Sequence, residues 1–331
     1  MSDNRSGYIG DLANWGRGLC MGAADIVPGV SGGTMALILG HYQRLVEAIG
    51  RFDRELVRML MKRQLVGAWK HIDGRFLLAL AVGIATGVVA LASLMQFLLE
   101  YQQAFTYAAF TGLILASSWL VSLRMGKWKP AHLPVALVGL GLALTICLLK
   151  PAHSELTPLS GFLAAMIAIC AMILPGISGA FVLLLFGLYH PVTEIIKGLP
   201  KGEIELQGLI NLAAVAAGCA VGLLAFTRIL RWLLHHHHDG TMAFLVGLMI
   251  GSLYKLWPFQ RASDETADLE FKFREFELYW PQSSTELLTA VGVAVVAFAG
   301  TIALEKIGSA IASKEEANAA NAVEGINEKQ A

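Results

Sequence analysis

The sequence predicts an all-α integral membrane protein built as an inverted-topology internal repeat, each half a re-entrant (broken) helical hairpin followed by three transmembrane helices. Three observations predict it. Long uncharged apolar stretches recur along the chain. A helix-breaking Pro-Gly-x-Ser-Gly occurs twice inside such stretches. The charges of the connecting loops assign opposite directions to matching segments.

The chain has 331 residues, 56% of them hydrophobic and 15% charged. Its mean hydropathy of +0.60 is that of a protein whose solvent is partly lipid. Lys plus Arg equals Asp plus Glu at 25 each, and no basic tract is interleaved with aromatics, so nucleic acid is not an expected partner. The polar start Met1-Ser2-Asp3-Asn4-Arg5 lacks the layout of a cleavable signal peptide, and the first apolar segment is expected to be retained. Cys20, Cys147, Cys170 and Cys219 each stand alone in apolar surroundings, with no Cys-x-x-Cys spacing for a metal or redox pair; they read as buried, reduced thiols. No metal and no cofactor is expected.

Uncharged stretches run over 26–43, 76–99, 101–123, 130–149, 156–193, 206–227, 240–254 and 287–304, and most approach the roughly 20 residues a spanning helix needs. Shifting the chain by 147 positions lays residues 28–42 on 175–189, with identities at Pro28/Pro175, Gly29/Gly176, Ser31/Ser178, Gly32/Gly179, Leu37/Leu184, Gly40/Gly187 and Tyr42/Tyr189. A shift of 135 continues the match through Gly83/Gly218, Gly87/Gly222, Thr106/Thr241, Gly112/Gly247 and Ser117/Ser252. The chain therefore reads as a duplication joined near residue 150. Residues 1–150 hold hairpin 9–42, a cytoplasmic amphipathic segment 43–75 and helices 76–99, 101–123 and 130–149. Residues 151–313 hold hairpin 157–190 and helices 206–230, 240–257 and 287–306, and 314–331 form a polar cytoplasmic tail whose composition suggests disorder.

Loop charge gives each half a direction. Residues 43–75 carry eight Lys/Arg against four acids, and Arg124, Lys127 and Lys129 form an acid-free turn, so both connections belong in the cytoplasm. Residues 258–286 carry three basic and seven acidic residues and belong outside, while Arg228 and Arg231 close segment 206–227 on the inside. Segment 206–227 thus runs opposite to its match 76–99, which makes the repeat inverted. Both termini are expected in the cytoplasm. The breaker segments then enter and leave by one face each, from opposite faces, which brings the Ser31 and Ser178 turns together. Gly-x-x-x-Gly at Gly83–Gly87 and Gly218–Gly222 allows the close helix packing this requires.

A helix break at membrane depth leaves amides that hydrocarbon cannot satisfy, so it persists only where protein or a polar cavity surrounds it. Paired breaks in two halves mark a transporter site. Pro28 and Pro175 suit the start of a helix, and Gly29, Ser31, Gly32, Gly33 and Thr34, with Gly176, Ser178 and Gly179, leave N–H groups and hydroxyls suited to phosphate. A purely structural role, Pro-Gly bending a helix that Ser caps, accounts for one copy as well. Arg17 and Asp25 flank the first breaker, whereas Ala164 and Met172 hold the matching places of the second. Arg17 is placed to grip a phosphate, and Asp25 to orient Arg17 or to carry a coupling proton; an interfacial salt bridge is the alternative.

Glu100, Arg124, Arg228 and Arg231 read as interfacial anchors. His235 to His238 read as cytoplasmic interfacial residues rather than zinc ligands. Residues 51–66 space Phe52, Leu56, Met59 and Val66 at helical intervals among Arg51, Arg54, Arg58, Lys62 and Arg63, which predicts one basic amphipathic helix lying on anionic lipid.

At Asp25-Ile-Val-Pro28-Gly-Val-Ser31-Gly-Gly-Thr34 and its echo Leu174-Pro175-Gly-Ile-Ser178-Gly the chain resembles the PopT-type polyprenyl-phosphate (undecaprenyl-phosphate) translocase family of bacteria, over about residues 10–310. The resemblance implies a multi-pass protein of the bacterial cytoplasmic (inner) membrane that returns undecaprenyl phosphate from the outer to the inner leaflet, recycling the lipid carrier of envelope polymers. A coupling ion, H+ or Na+, is compatible with it. The second motif departs from the first at Ala180 and Phe181, so the two hairpins are not expected to be equal in phosphate binding. The acid-then-Pro-x-Ser motif is also similar to that of undecaprenyl-diphosphate phosphatases of the BacA type, in which Ser31 would be a nucleophile or phosphate ligand. Their Ser-Ser-Thr-Gly-His signature is absent here. A small-anion or ion transporter would use the same half-helix dipoles without needing a lipid tail.

Overall fold

The computed structural model describes residues 4–25, 31–152, 154–199, 205–264, 276–303, 305 and 306. Its helices follow in the order α1 (Asn4–Asp25), α2 (Gly32–Ile38), α3 (Tyr42–Gly50), α4 (Arg54–Met61), α5 (Leu65–His71), α6 (Gly74–Tyr101), α7 (Gln103–Arg124), α8 (His132–Leu148), α9 (Pro158–Ile173), α10 (Gly179–Leu185), α11 (Tyr189–Gly198), α12 (Leu206–His236) and α13 (His238–Ser252), closed by α14 (Ser284–Ala303). Four of them, α6, α7, α12 and α14, are long and apolar enough to cross a membrane, and α10 with α11 makes a fifth candidate bent by 113°. The fold is that of a mostly helical membrane protein.

The helix ends follow from local chemistry. Thr157 and Ser160 close a capping box ahead of α9, with Pro158 in its first turn, where a missing N–H costs nothing. Gly40 and Gly187, matched by the 147 shift, both take positive φ, 74° and 72°, and so end α2 and α10 with the same left-handed turn.

The contacts repeat with the sequence. On α1 and α6, a Cβ at Gly83 would lie 2.1 Å from the Trp15 carbonyl oxygen, and one at Gly87 2.3 Å from that of Leu19. Rising numbers on one helix meet rising numbers on the other, so the pair is parallel. On α9 and α12 the same relation joins Gly218 to Phe162 at 2.2 Å and Gly222 to Met166 at 2.5 Å. The partners match as well, since a shift of 147 carries Trp15 to Phe162 and Leu19 to Met166. Gly18 and Gly22 complete the first interface from the α1 side, against Leu80 and Ile84, a second small-residue face that the spacing of α6 alone did not reveal.

The remaining helices cross between halves. Gly112 of α7 sits on the Ala294 carbonyl of α14, and its match Gly247 of α13 sits on the Ala136 carbonyl of α8, both with a Cβ distance of 2.0 Å. Each half therefore lends its last helix to the third-ranked helix of the other. The main core is shared accordingly, with Leu37, Phe76, Ile114, Leu230, Leu245 and Leu248 in one continuous cluster.

One expectation is corrected. The amphipathic helix over 51–66 is two helices, α4 and α5, broken where Arg63 takes φ 55°. Asp53 caps the first of them, its carboxylate accepting from the amides of Glu55 and Leu56. The helical class stands, with one short addition, a two-stranded antiparallel ribbon of β1 (Gln260–Ala262) and β2 (Phe276–Leu278), in register Arg261 to Glu277. Trp257 stacks on Trp280 at 5.3 Å beside it, an aromatic cluster that gives a polar loop its anchor. Pro28, Gly29 and the expected tail 314–331 lie outside the described residues.

Candidate functional site

Ser31 has extended backbone, φ −126° and ψ 151°, the conformation of an N-cap, and its Oγ accepts from the Thr34 N–H at 3.2 Å. Its own hydroxyl hydrogen goes across the molecule to the Leu174 carbonyl at 3.3 Å. Thr34 Oγ1 in turn accepts from the Gly176 N–H at 2.8 Å, and the two hydroxyls stand 3.2 Å apart. Since the Ser31 hydrogen is committed to Leu174, Thr34 donates to Ser31. The bonds form a directed circuit: Gly176 amide to Thr34, Thr34 to Ser31, Ser31 to the Leu174 carbonyl. The two breaker turns are thus hydrogen-bonded to one another across the duplication.

Small residues let the turns approach this closely. A Cβ at Gly33 would stand 2.5 Å from the Ile173 carbonyl oxygen. Gly176 takes φ +90° and lies against the Leu248 carbonyl and the Ser252 hydroxyl of α13. Pro175 and Gly179 are buried in the same turn. Ser31 and Thr34 are 1% and 0% exposed, so the hydroxyls have no solvent to fall back on and their mutual bonds are obligatory.

The charges are placed asymmetrically. Asp25, at the end of α1, accepts from the Gly32 N–H at 2.6 Å, so a carboxylate occupies the first free amide of α2. Gly32 itself packs on that carboxylate. Arg17 donates to the Asn14 side chain at 2.9 Å, one turn away on α1. Arg17 and Asp25 are eight residues apart on one helix, about 12 Å along the axis at 1.5 Å per residue, and they form no ion pair. The role of orienting Arg17 thus falls to Asn14, not to Asp25. Ser178 also differs from its match: its backbone is extended, but its side chain makes no capping bond.

Three further residues were not singled out from the sequence as part of the site. Lys255 follows α13 in a 3₁₀ turn, Leu253–Leu256, and places its ammonium 4.8 Å from the ring centroid of Phe181. The second hairpin, uncharged in sequence, therefore acquires a cation from a distant segment; its trace in the sequence is that the uncharged stretch 240–254 ends there. His41 is 2% exposed, with Nε2 3.3 Å from the Met21 sulfur and its ring edge-on to Phe76. Ser252 flanks Gly176, and its match with Ser117 was the sequence signal. Among the described residues no group of His, Cys, Asp and Glu side chains is arranged to hold a metal.

The profile of a family described as VCA0040-like, undecaprenyl phosphate translocase-like, matches residues 21–271. A curated relative from Vibrio cholerae, named polyprenyl-phosphate transporter, is 40% identical over 305 residues, covering 89% of this chain and 96% of the relative. A protein of the same name from Staphylococcus aureus is 32% identical over 256 residues, covering 73% of this chain and 84% of its own length. No solved structure gives a significant match. The profile spans both breaker turns and most of the spans, and with these two relatives it places the chain in the undecaprenyl phosphate translocase-like family.

Proposed function

We propose that this protein moves undecaprenyl phosphate from the outer to the inner leaflet of the bacterial cytoplasmic membrane, recycling the carrier of peptidoglycan and other envelope polymers. The observation that carries the reading is the hydrogen-bonded junction of the two turns. A polar circuit between Ser31, Thr34, Leu174 and Gly176, with Asp25 at its edge, sits inside an otherwise apolar helical body. A lipid phosphate needs such a polar station for its head while its tail stays in hydrocarbon.

In this reading the phosphate is held by Arg17 and, once the circuit opens to admit it, by the N–H groups and hydroxyls of Gly29, Ser31, Gly32, Gly33 and Thr34 with Gly176, Ser178 and Gly179. Pro28 and Pro175, which carry no N–H, shape the turns, and Asp25 carries a coupling proton or sets the charge of the site. The repeat is inverted in the membrane. Parallel packing of α1 with α6, and of α9 with α12, means that each pair enters from one common face, and loop charge assigns the two pairs to opposite faces. Arg231 lies beside Gly50 and Arg228 donates to the Phe52 carbonyl, so the end of α12 adjoins the basic segment 43–75, which supports assigning both to the cytoplasmic side by the charge rule.

Hydrolysis fits less well. Ser31 has Thr34 and Leu174 as partners rather than a base that would activate it as a nucleophile. The test is reconstitution in liposomes containing headgroup-labelled polyprenyl phosphate, following access of the label to a membrane-impermeant quencher. Protein-dependent exchange between leaflets without phosphate release is the expected result. Release of inorganic phosphate, or exchange no faster than in empty liposomes, would reject the reading.

A further inference from the structure

We infer that the structure holds one of two pseudo-symmetric states, and that in the other state α11 packs on α6, bringing Lys197 to Gln96. The inference rests on the transport reading for its purpose, and on the repeat for its geometry.

In the present state α3 packs along the C-terminal part of α12. Gly50 lies against Arg231, where an added Cβ would be 3.2 Å from the guanidinium, and Arg228 donates to the Phe52 carbonyl at 3.0 Å. Two cations thereby meet the carbonyl end of α3, the end at which a helix favours positive charge. Val46 of α3 is 1% exposed, and Leu230 and Leu234 of α12 are buried as well.

The shift of 147 carries α3 onto α11, and the shift of 135 carries the end of α12 onto the end of α6. Several helix pairings within one half recur in the other: α1 on α6 matches α9 on α12, α1 on α2 matches α9 on α10, and α6 on α7 matches α12 on α13. The packing of α3 on α12 has no comparable counterpart, since among the described residues α11 and α6 share at most a slight contact. Their matching faces are open instead. Ile196 and Leu199 of α11 are 48% and 44% exposed, and Phe97 and Tyr101 at the end of α6 are 54% and 66% exposed. Gly50 is buried, whereas its match Lys197 is exposed.

Two copies of one element in two environments are what an inverted repeat produces when its halves exchange conformations. Exchanging them moves the contact of Gly50 with Arg231 to Lys197 with Gln96, and that of Phe52 with Arg228 to Leu199 with Ser93. The new pairing is chemically sound: the cation is supplied by the hairpin helix instead of the long helix, and it meets an amide rather than a second cation. In the orientation given by loop charge, the present state is closed toward the cytoplasm and the exchanged state closed toward the outside.

Paired cysteines test this in a background with Cys20, Cys147, Cys170 and Cys219 replaced by Ala. One variant carries Gly50→Cys with Arg231→Cys, the other Gln96→Cys with Lys197→Cys, both with a protease site in the exposed turn 127–130, which lies between the members of each pair. After treatment with a short bis-maleimide in native membranes and cleavage, both variants are expected to keep their fragments joined, and each bridge is expected to stop leaflet exchange. Separate fragments in the Gln96–Lys197 variant, with the Gly50–Arg231 variant joined, would overturn the inference. If the first of these proteins fails to fold, Ser93→Cys with Leu199→Cys reads the same approach, and separated fragments there overturn it equally. Joined fragments in both variants, with no leaflet exchange by the cysteine-free parent, would uphold the two states and reject the transport reading alone.

Discussion

Thr34 of the first breaker turn accepts a hydrogen bond from the Gly176 amide of the second at 2.8 Å, and both groups are buried. The bond joins residues that the 147 shift does not match to each other, since Thr34 corresponds to Phe181 and Gly176 to Gly29. The two turns are therefore complementary rather than alike: the first supplies hydroxyls, the second an amide and a carbonyl.

Removing the hydroxyl without changing the shape isolates its value. Thr34→Val leaves the Gly176 N–H buried without an acceptor, which costs about 1–3 kcal/mol, and frees Ser31 from one partner. Thr34→Ser keeps the circuit. Thermal unfolding in detergent is expected to show a clear loss for Val and little for Ser, with leaflet exchange following the same order; equal stability of the two variants would remove the circuit from the account.

Gly33→Ala probes the approach of the turns directly. Its Cβ would stand 2.5 Å from the Ile173 carbonyl oxygen, and a backbone atom cannot swing aside as a side-chain end can. Separation of the turns costs about 1–3 kcal/mol and is expected to lower exchange several-fold. Gly300→Ala on α14, where an added Cβ meets nothing within 4 Å, is the matched control and is expected to behave as the parent. Comparable loss in both would remove the junction from the account, since Gly→Ala within a helix by itself favours the helix.

What the sequence revealed and what it hid follow from the range of the interactions. Apolar length, the Pro-Gly breakers and the glycines at four-residue spacing are local, and they are visible because lipid permits few solutions: Gly83 and Gly218 each sit on a carbonyl of a parallel neighbour. The partners of Thr34 are not local. Nothing near Thr34 in sequence indicates Gly176, and nothing near Phe181 indicates Lys255. The pairing of Arg17 with Asp25, attractive on proximity in sequence, failed because each had a closer partner, Asn14 and the Gly32 amide. The break at Arg63 was hidden because the apolar spacing continues across it, through Phe52, Leu56 and Met59 on one side to Val66 on the other, although the chain turns there between two helices.

Asp53 gives a prediction for the cytoplasmic segment. Partial desolvation pushes its carboxyl up, but the amides of Leu56 and Glu55 and the His71 imidazole at 3.1 Å outweigh it and hold the group below its ordinary value of 3.8. A depressed carboxylate stabilises the fold above its unfolded pKa and ceases to do so as pH falls through the folded value. The junction of α4 and α5 is therefore expected to be unchanged by Asp53 between pH 8 and pH 5 and to loosen only in stronger acid, on the order of pH 4 and below. Asp53→Ala removes the cap at every pH, at about 1 kcal/mol. Hydrogen exchange of the α4 amides reads both effects, and protection in the parent that vanished between pH 8 and pH 5 would contradict this assignment.

The last prediction concerns the charges at the junction. Asp25→Asn preserves an acceptor for the Gly32 amide and so is expected to leave the turn folded, while removing the negative charge at the start of α2. Arg17→Gln keeps a donor toward Asn14 and removes the positive charge. If the two charges serve transport, each variant loses leaflet exchange by tenfold or more while its melting temperature stays near that of the parent. The two are also expected to differ in kind. Loss of Arg17 weakens attraction for the phosphate, so raising the lipid concentration recovers part of the rate; loss of Asp25 removes a group that changes charge during the cycle, so the rate stays low at any lipid concentration and ceases to respond to an imposed pH gradient. A pair of variants that both unfold earlier and both recover with lipid would assign Arg17 and Asp25 to the scaffold. Full exchange in Asp25→Asn with an intact pH response would leave Asp25 only its bond to Gly32 and would remove it as the carrier of a coupling proton.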